Sequence, residues 1–571
     1  MSYLVSIAIG PIQDFIASAR RTRDLWYGSR LLSEVGKAAA RAMRQDGVEL
    51  IFPYSDDLDR DLLRGSDFTV VNKLLGTVAA NTDAEVAHKA AAWKRATRDF
   101  LIAEFQRSLP AIRRSAAIDE KLAVGQLPSI VEFNAAWTPL DVAYPEARLR
   151  VEELLNGRKA LRDFPPFQGK AGRAKSSLDG VREGVINHRR TERHEIKKSE
   201  ELDAIGVLKR CGDFGRKPHF ESTHDVAGEP LLVRLRRTRT TDVKAFQDFL
   251  RHTLDVPGCA EFLYRAKPFD DYEGLALTEE QREAFDTLKH RLIHDEPEPA
   301  YYAILAGDGD KIGAAIRELQ EPEEHRQFST KLSQFASDAA KIIDGSDGEP
   351  IYTGGDDVLA LLPLHTALAV ARSVRNEFSH ALPGKTFSAG MAVVHAMDSL
   401  RAGIRLAHQA EKDAKKAGGD SLAVVIAPRS GANVEVVGEW DVLMPMLEEI
   451  TRRYRTPKPE QLGKGFAYEL RNLLREGWDA MAPPDSNNVL DPVLGDLALA
   501  IAGKKAQSAP AKDLVNRYVL KWGGPPGLQP APWPASSTGS APQNPRQKLD
   551  RLTSALLVAR FFARAQNEAE V

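Results

Sequence analysis

Between residues 298 and 428 the sequence alternates strand and helix patterns in an order that few folds accept. An apolar run over 300–305 leads into Gly307-Asp308-Gly309-Asp310, and an amphipathic helix follows with Phe328, Leu332, Phe335, Ala339 and Ile342 on one face. Two short apolar runs, 350–353 and 358–362, then flank Gly354-Gly355-Asp356-Asp357, the signature of a β-hairpin closed by a glycine turn. A helix over 366–380, a strand over 387–394, a helix with Leu400, Ile404, Ala407, Ala410 and Ala414 on one face, and a last strand over 422–426 complete the run. The order β-α-β-β-α-β-α-β is that of a ferredoxin-like split βαβ unit with one more helix and strand appended. It predicts an α+β palm.

In that topology the hairpin pairs with the first strand, so its turn lies beside the end that carries Asp308. Asp308, Asp356 and Asp357 then converge on one rim. Like charges a few ångströms apart raise one another's pKa, and hard divalent cations with oxygen ligands, Mg²⁺ or Mn²⁺, relieve the repulsion while binding triphosphate oxygens. Two such ions about 4 Å apart serve an in-line displacement, one activating a ribose hydroxyl and the other neutralising pyrophosphate. The predicted chemistry is nucleotidyl transfer. Asp308, Asp356 and Asp357 are the expected catalytic carboxylates, with the Gly309 carbonyl as a further metal ligand. Gly354 and Gly355 are expected to supply positive φ angles and to let a nucleotide approach the backbone. Asp310 either joins the metal ligands or caps the following helix. Lys412, Lys415 and Lys416, near Gly418-Gly419-Asp420, offer charge to a triphosphate, and Lys412 and Lys416 are the expected contacts. Against this stands the plain reading of each feature: Gly-Gly-Asp-Asp is also an ordinary turn composition, and helix lysines are also ordinary solvated residues.

The flanking sequence divides the chain into four expected units, 1–160, 161–297, 298–430 and 431–571. The first opens with a strand over 3–9, a Gly10-Pro11 break and a helix through Leu31, Val35, Ala39 and Ala42, with further strands expected at 48–53 and 68–71. The second scatters basic residues, among them Lys170, Arg189, Arg190, Lys209, Arg210, Arg234 and Arg236, which read either as solvated faces or as a phosphate-contacting surface. Beyond 430 the pattern is helical, interrupted by a Pro/Gly/Ser-rich tether over 523–545 and ending in an amphipathic helix over 549–562. Lys+Arg 78 against Asp+Glu 80 leaves a net charge of −2, so no global field draws the chain to nucleic acid or anionic membrane. Two cysteines, Cys211 and Cys259, are too few for a disulfide framework and fit a reducing cytoplasm. The apolar amino terminus lacks a basic n-region, and no uncharged run reaches the ~18 residues of a bilayer span.

The chain resembles the large, polymerase-like subunit of type III CRISPR effector complexes, above all the Cmr type (III-B). The matching segments are Gly10-Pro11-Ile12-Gln13-Asp14-Phe15-Ile16, Arg20-Arg21-Thr22-Arg23-Asp24-Leu25-Trp26-Tyr27-Gly28-Ser29, Asn72-Lys73-Leu74-Leu75, Gly307-Asp308-Gly309-Asp310-Lys311-Ile312-Gly313 and Tyr352-Thr353-Gly354-Gly355-Asp356-Asp357-Val358. Ser388-Ala389-Gly390-Met391-Ala392 and Ala410-Glu411-Lys412-Asp413-Ala414-Lys415 add to them. The resemblance implies two palms, a small domain between them and a helical carboxy-terminal domain. It also implies that ATP binds between the palms and is joined into cyclic oligoadenylate when guide RNA pairs with target RNA, alongside the other subunits of the complex.

In that reading the first palm lacks catalytic carboxylates, and Gln13 and Ser29 line the nucleotide pocket. Two departures from the family pattern shape the expectation. The chain starts directly at the first palm without an HD-type domain, so no intrinsic DNase is expected. Where relatives hold zinc with paired cysteines, the segments 175–180 and 202–207 contain none, so no zinc is expected. The alternatives are an architectural subunit without turnover and a free-standing GGDEF-type cyclase.

Overall fold

The computed structural model describes residues 1–161, 172–188, 196, 200–214, 220–254, 260–264, 277–294, 296, 300–457, 461–463, 465–478, 491–503, 508–520 and 545–570. Two sheets built on the same four-strand antiparallel plan organise it, the second extended by a further strand that pairs in parallel with its neighbour. The first holds β1 (Ser2–Gly10), β2 (Glu49–Phe52), β3 (Lys73–Ala79) and β4 (Glu132–Pro139) in the order β2-β3-β1-β4. The second holds β5 (Tyr301–Gly309), β6 (Glu349–Gly354), β7 (Asp357–Leu362), β8 (Phe387–His395), β9 (Ser421–Ile426) and β10 (Val434–Glu439) in the order β10-β9-β8-β5-β7-β6. In each sheet the first strand lies between the third and fourth, the ferredoxin-like order read from the sequence of the second unit.

β5 is the axis of the second palm. Its residues alternate between two cores, as the period-two pleat requires. Ala303 and Leu305 join Phe335, Val374 and Phe378 of the helices Pro322–Asp344 and Ala367–Ala381. Tyr302, Ile304 and Ala306 face the opposite way, toward Ile404, Ala407 and Ala410 of the crossover helix Leu400–Lys416 and toward Ile16 and Leu25 of the first palm. Burial on both faces explains why β5 reads as an unbroken apolar run. The crossover helix lies on β8 at Gly390, where an added Cβ would stand 2.1 Å from the Glu411 amide nitrogen and 2.3 Å from the Ala407 carbonyl. No other residue type fits there.

Polar contacts join the palms at a second place. The Tyr144 hydroxyl lies 2.8 Å from His325 Nδ1, and Arg148 donates to the carbonyls of Arg317 at 2.7 Å and Leu319 at 3.2 Å. The middle region is tied to the first palm by its helix Ala204–Cys211. Arg210 forms a buried fork to Asp24 at 2.8 and 3.0 Å and to Glu200 at 2.9 and 3.0 Å, while Lys209 donates to the carbonyls of Phe15 and Ser18. The long terminal helix Pro545–Glu570 packs on Trp440–Arg455 and on Thr223–Thr238.

Several expectations change. The strand expected at 68–71 is not one: Val70 donates its amide to the Ser33 hydroxyl at 2.9 Å, and the β-ladder starts at Lys73. A β-branched run without a partner strand forms no ladder. The helical pattern expected beyond 430 begins with β10, whose Val436 is buried while it pairs with β9. The helix Asp83–Ser115 escaped the sequence reading altogether. The tether over 523–545 falls almost wholly outside the described residues.

The basic residues of the middle region resolve in an unexpected way. Arg173, Lys175, Arg210, Arg234 and Arg236 pair with Asp119, Glu183, Asp24 and Glu200, Glu296, and Glu229 respectively. Each is committed to an internal carboxylate, although Lys175 and Arg236 remain exposed to solvent. Lys170, Arg189 and Arg190 lie outside the described residues. The cysteine-free segments 175–180 and 202–207 do meet: Ser176 Oγ lies 3.4 Å from Asp203, which caps its helix through the Gly206 amide at 2.8 Å. Cys211 is buried and Cys259 is not among the described residues.

Candidate active site

The register fixes where the carboxylates meet. β5 pairs with β7 up to Gly307 opposite Val358, which brings Asp308 beside Asp357 across the strand ends. β6 and β7 close at Gly354 opposite Asp357, leaving Gly355 and Asp356 as a two-residue turn. Gly355 has φ +64° and Asp356 does not share it, the φ pattern of a type II′ hairpin. Gly354 has no positive φ, contrary to expectation; its role is room, since a Cβ there would press on the Tyr352 ring at 2.6–2.9 Å. Gly309 abuts the turn, with its Cβ position 3.0 Å from Asp356 Cβ.

Asp308, Gly309, Asp356 and Asp357 therefore share one rim. Burial, the Asp357 charge and Glu411 push the Asp356 carboxyl well above the usual carboxylate range. Burial and Glu411 push Asp357 up as well, with His408 opposing.

The crossover helix supplies a counter-charge to the carboxylates through Lys415. Lys415 contacts the Asp308 carboxylate directly and lies 3.0 Å from Glu411, which in turn meets His408 at 3.2 Å. Burial draws the Lys415 ammonium down to about 8. Lys416 is exposed and pairs with Asp413 at 2.9 Å; Lys412 is exposed. His408, Glu411 and Lys415 repeat at helical spacing beside the buried stripe of Ile404, Ala407, Ala410 and Ala414, a signal that could have singled out Lys415.

Asp310 stands apart from the rim. Its carboxylate accepts from the hydroxyls of Thr386 at 2.8 Å and Ser388 at 2.7 Å and from the Asp420 amide at 2.7 Å. It is buried, and the following helix is flanked by Lys311 without a side-chain cap. The helix-capping role expected of it is not filled. Instead it fastens the start of β8 to the turn before β9.

The first palm contributes a wall. Leu25, Ser29, Leu32 and Gly36 follow helical spacing on Thr22–Gln45; Leu25 and Leu32 pack on the second sheet, and Gly36 touches Val70 and the Val71 carbonyl. Val71 in turn is the neighbour of Gly355, 3.4 Å from its Cβ position. Buried Ser29 thus lies on the face of that helix turned to the hairpin. Gln13 is exposed at the start of the short helix Gln13–Ala17. Among the described residues no three His, Cys, Asp or Glu side chains stand at metal-ligand spacing, and none of the helices is long and apolar enough to cross a membrane.

Known proteins match at these same elements. A family model described as Cas10/Cmr2, second palm domain, matches residues 301–423, and one described as CRISPR-associated protein Cmr2, N-terminal, matches residues 4–105. The CRISPR system Cmr subunit Cmr2 of Pyrococcus furiosus is 24% identical over 597 residues, covering 83% of this chain and 66% of the relative; the chain thus spans just under two thirds of that protein. The fold is shared with a type III-B Cmr-beta complex bound to cognate target RNA, at TM-score 0.62 and 12% identity over 98% of this chain and 83% of that one. It is shared also with a Csm1–Csm4 cassette in complex with cA4, at TM-score 0.50 and 12% identity over 99% and 70%. Both palms are thus matched by models of one family, and the chain is similar to the Cas10/Cmr2 subunits of type III CRISPR systems in its palm sequences and in its fold.

Proposed function

We propose that the rim of Asp308, Asp356 and Asp357 joins adenylate units from ATP into a cyclic oligoadenylate, within an RNA-guided type III-B complex and in response to target RNA. The observation that carries this is the convergence of Asp308 with the Asp356-Asp357 turn against a wall of the first palm, beside the ammonium of Lys415. The relatives support the product class and the partners, since one is a cassette solved with cA4 and another a complex bound to target RNA.

The donor set fits hard divalent ions. Its ligands are carboxylate and carbonyl oxygens, and Asp356 and Asp357 lie in surroundings that penalise their negative charge, as expected of a cluster awaiting cations. Asp308, Asp356 and Asp357 with the Gly309 carbonyl would hold Mg²⁺ or Mn²⁺ after side-chain rotation. Bound there, the ions would lower the pKa of a ribose hydroxyl and neutralise departing pyrophosphate. The remaining work falls to the chain. The Gly355 turn leaves space for the nucleotide between the palms. Lys415, released from Asp308, meets the triphosphate as charge develops on it. Each bond formed joins a ribose oxygen to an α-phosphorus and expels pyrophosphate.

A second reading is an architectural subunit that binds ATP without turnover. It draws on one observation, that Lys415 already neutralises Asp308. One experiment separates the two: the complex assembled with guide and matching target RNA is incubated with Mg²⁺ or Mn²⁺ and labelled ATP, and products are identified by mass. A nucleotide product that disappears in Asp356→Ala/Asp357→Ala is expected. No product, or one indifferent to that double substitution, overturns the assignment.

A further inference from the structure

At the end of the second sheet opposite the carboxylate rim lies a cavity of about 640 Å³ between the palm and the carboxy-terminal helices. The size falls within the roughly 300–1,000 Å³ of small-molecule sites. From Tyr301, which lines it, to Asp308 is roughly 23 Å along β5 at the rise of a strand, so the two sites are separate.

One wall is aromatic: the Tyr301 ring meets Phe561 edge to face at 5.1 Å. Another is cationic. Arg560 lies over the Tyr468 ring at 5.0 Å, Arg471 stands beside it, and neither arginine has an ion-pair partner among the described residues. The third feature is unspent hydrogen bonding. The Tyr454 hydroxyl and Glu568 Oε1 are buried on the cavity lining without partners among the described residues, although Tyr454 as a whole is only 6% exposed. Burial raises the Glu568 carboxyl, with Arg564 and Arg234 opposing.

An apolar ligand would leave two guanidinium groups and two polar oxygens desolvated, a cost paid for each unsatisfied group. A bare anion would leave the rings uncovered. A planar heterocycle bearing a phosphate answers all three features. We propose that this cavity binds a nucleoside monophosphate, its phosphate on Arg471 and Arg560, its base against Tyr301 and Phe561, and the base edge on Tyr454 and Glu568. The proposal does not rest on the chemistry assigned to the carboxylate rim.

The test is calorimetric titration of the full chain, in chelator, with AMP, GMP, CMP and UMP and, in a separate arm, inorganic phosphate. Saturable binding of at least one nucleotide at one site is expected, with inorganic phosphate about tenfold weaker or more for want of the aromatic contacts. Arg560→Ala should weaken the nucleotide about tenfold, and Tyr454→Phe, which keeps the ring and the packing, about threefold. Asp356→Ala/Asp357→Ala should leave the affinity unchanged. Absence of saturable nucleotide binding overturns the proposal. So does phosphate binding as tightly as the nucleotides, or binding that survives Arg560→Ala and Tyr454→Phe but is lost in the carboxylate double variant, which would put the nucleotide at the rim.

Discussion

Asp308 and Asp310 are two residues apart on one strand end, yet they do different jobs. Asp308 is held only by Lys415 among the contacts described above, whereas Asp310 satisfies three donors. Asp310→Ala should therefore destabilise the protein by about 2 kcal/mol or more through its orphaned donors, while Asp308→Ala should abolish the proposed nucleotide synthesis at little cost in stability; thermal denaturation and product assay together separate the roles. Asp356 makes the opposite case. Its folded-state pKa is raised, so its ionised form opposes folding at neutral pH. In chelator, Asp356→Asn should raise the melting midpoint by about 2 °C, and Mn²⁺ should raise that of the wild type but not of the variant. The sequence made all three aspartates visible as candidates. It could not separate them, because what distinguishes Asp310 is Thr386, Ser388 and Asp420, brought to it only by the sheet.

At the level of elements, the helices and strands with strong periodicity were readable, and the crossover helix is the best example. Its apolar stripe announced the buried face, but the polar stripe of His408, Glu411 and Lys415 gains meaning only from its position over β8. That position hangs on one glycine. Gly390→Ala drives a methyl group into the backbone of the helix and should cost about 1–3 kcal/mol. It should also pull Lys415 from the rim and reduce nucleotide synthesis more than the stability loss accounts for, which activity measured well below the melting transition would reveal. The misread segments share a cause. Residues 68–71 have strand composition without a strand to pair with, and β10 is a short edge strand whose pairing depends on β9. Strand formation is a property of pairs, which composition does not record.

For the whole molecule, the joint between palms is pH-sensitive. His325 is buried between them at the Tyr144 hydroxyl, and burial together with Arg148 and Lys73 lowers its pKa to about 4 from an ordinary 6.5, with Glu152 opposing. Between those values the unfolded chain binds the proton more readily, so His325 makes stability fall as pH drops through that window. His325→Gln should lose less of its melting temperature between pH 7 and pH 4.5 than the wild type does. The middle region is fixed by a different device. Arg210 is buried between Asp24 and Glu200, and Arg210→Ala strands two carboxylates, at a cost of about 3–5 kcal/mol measured by denaturant unfolding. Neither joint was legible in the sequence, for Asp24 and Arg210, or Tyr144 and His325, are far apart in the chain.

β5 runs from Tyr301 at the rear cavity to Asp308 at the rim, and it is hydrogen-bonded on both edges by β7 and β8. A strand so fixed neither stretches nor slides. It keeps the two ends of the palm at constant separation, like the bar between two weights. A ligand seated at the rear therefore has no way to shorten the distance to the rim; what it can alter is the tilt of the sheet and of the helices resting on it. Any influence it exerts on the carboxylates would be felt as a change of angle, with the spacing preserved.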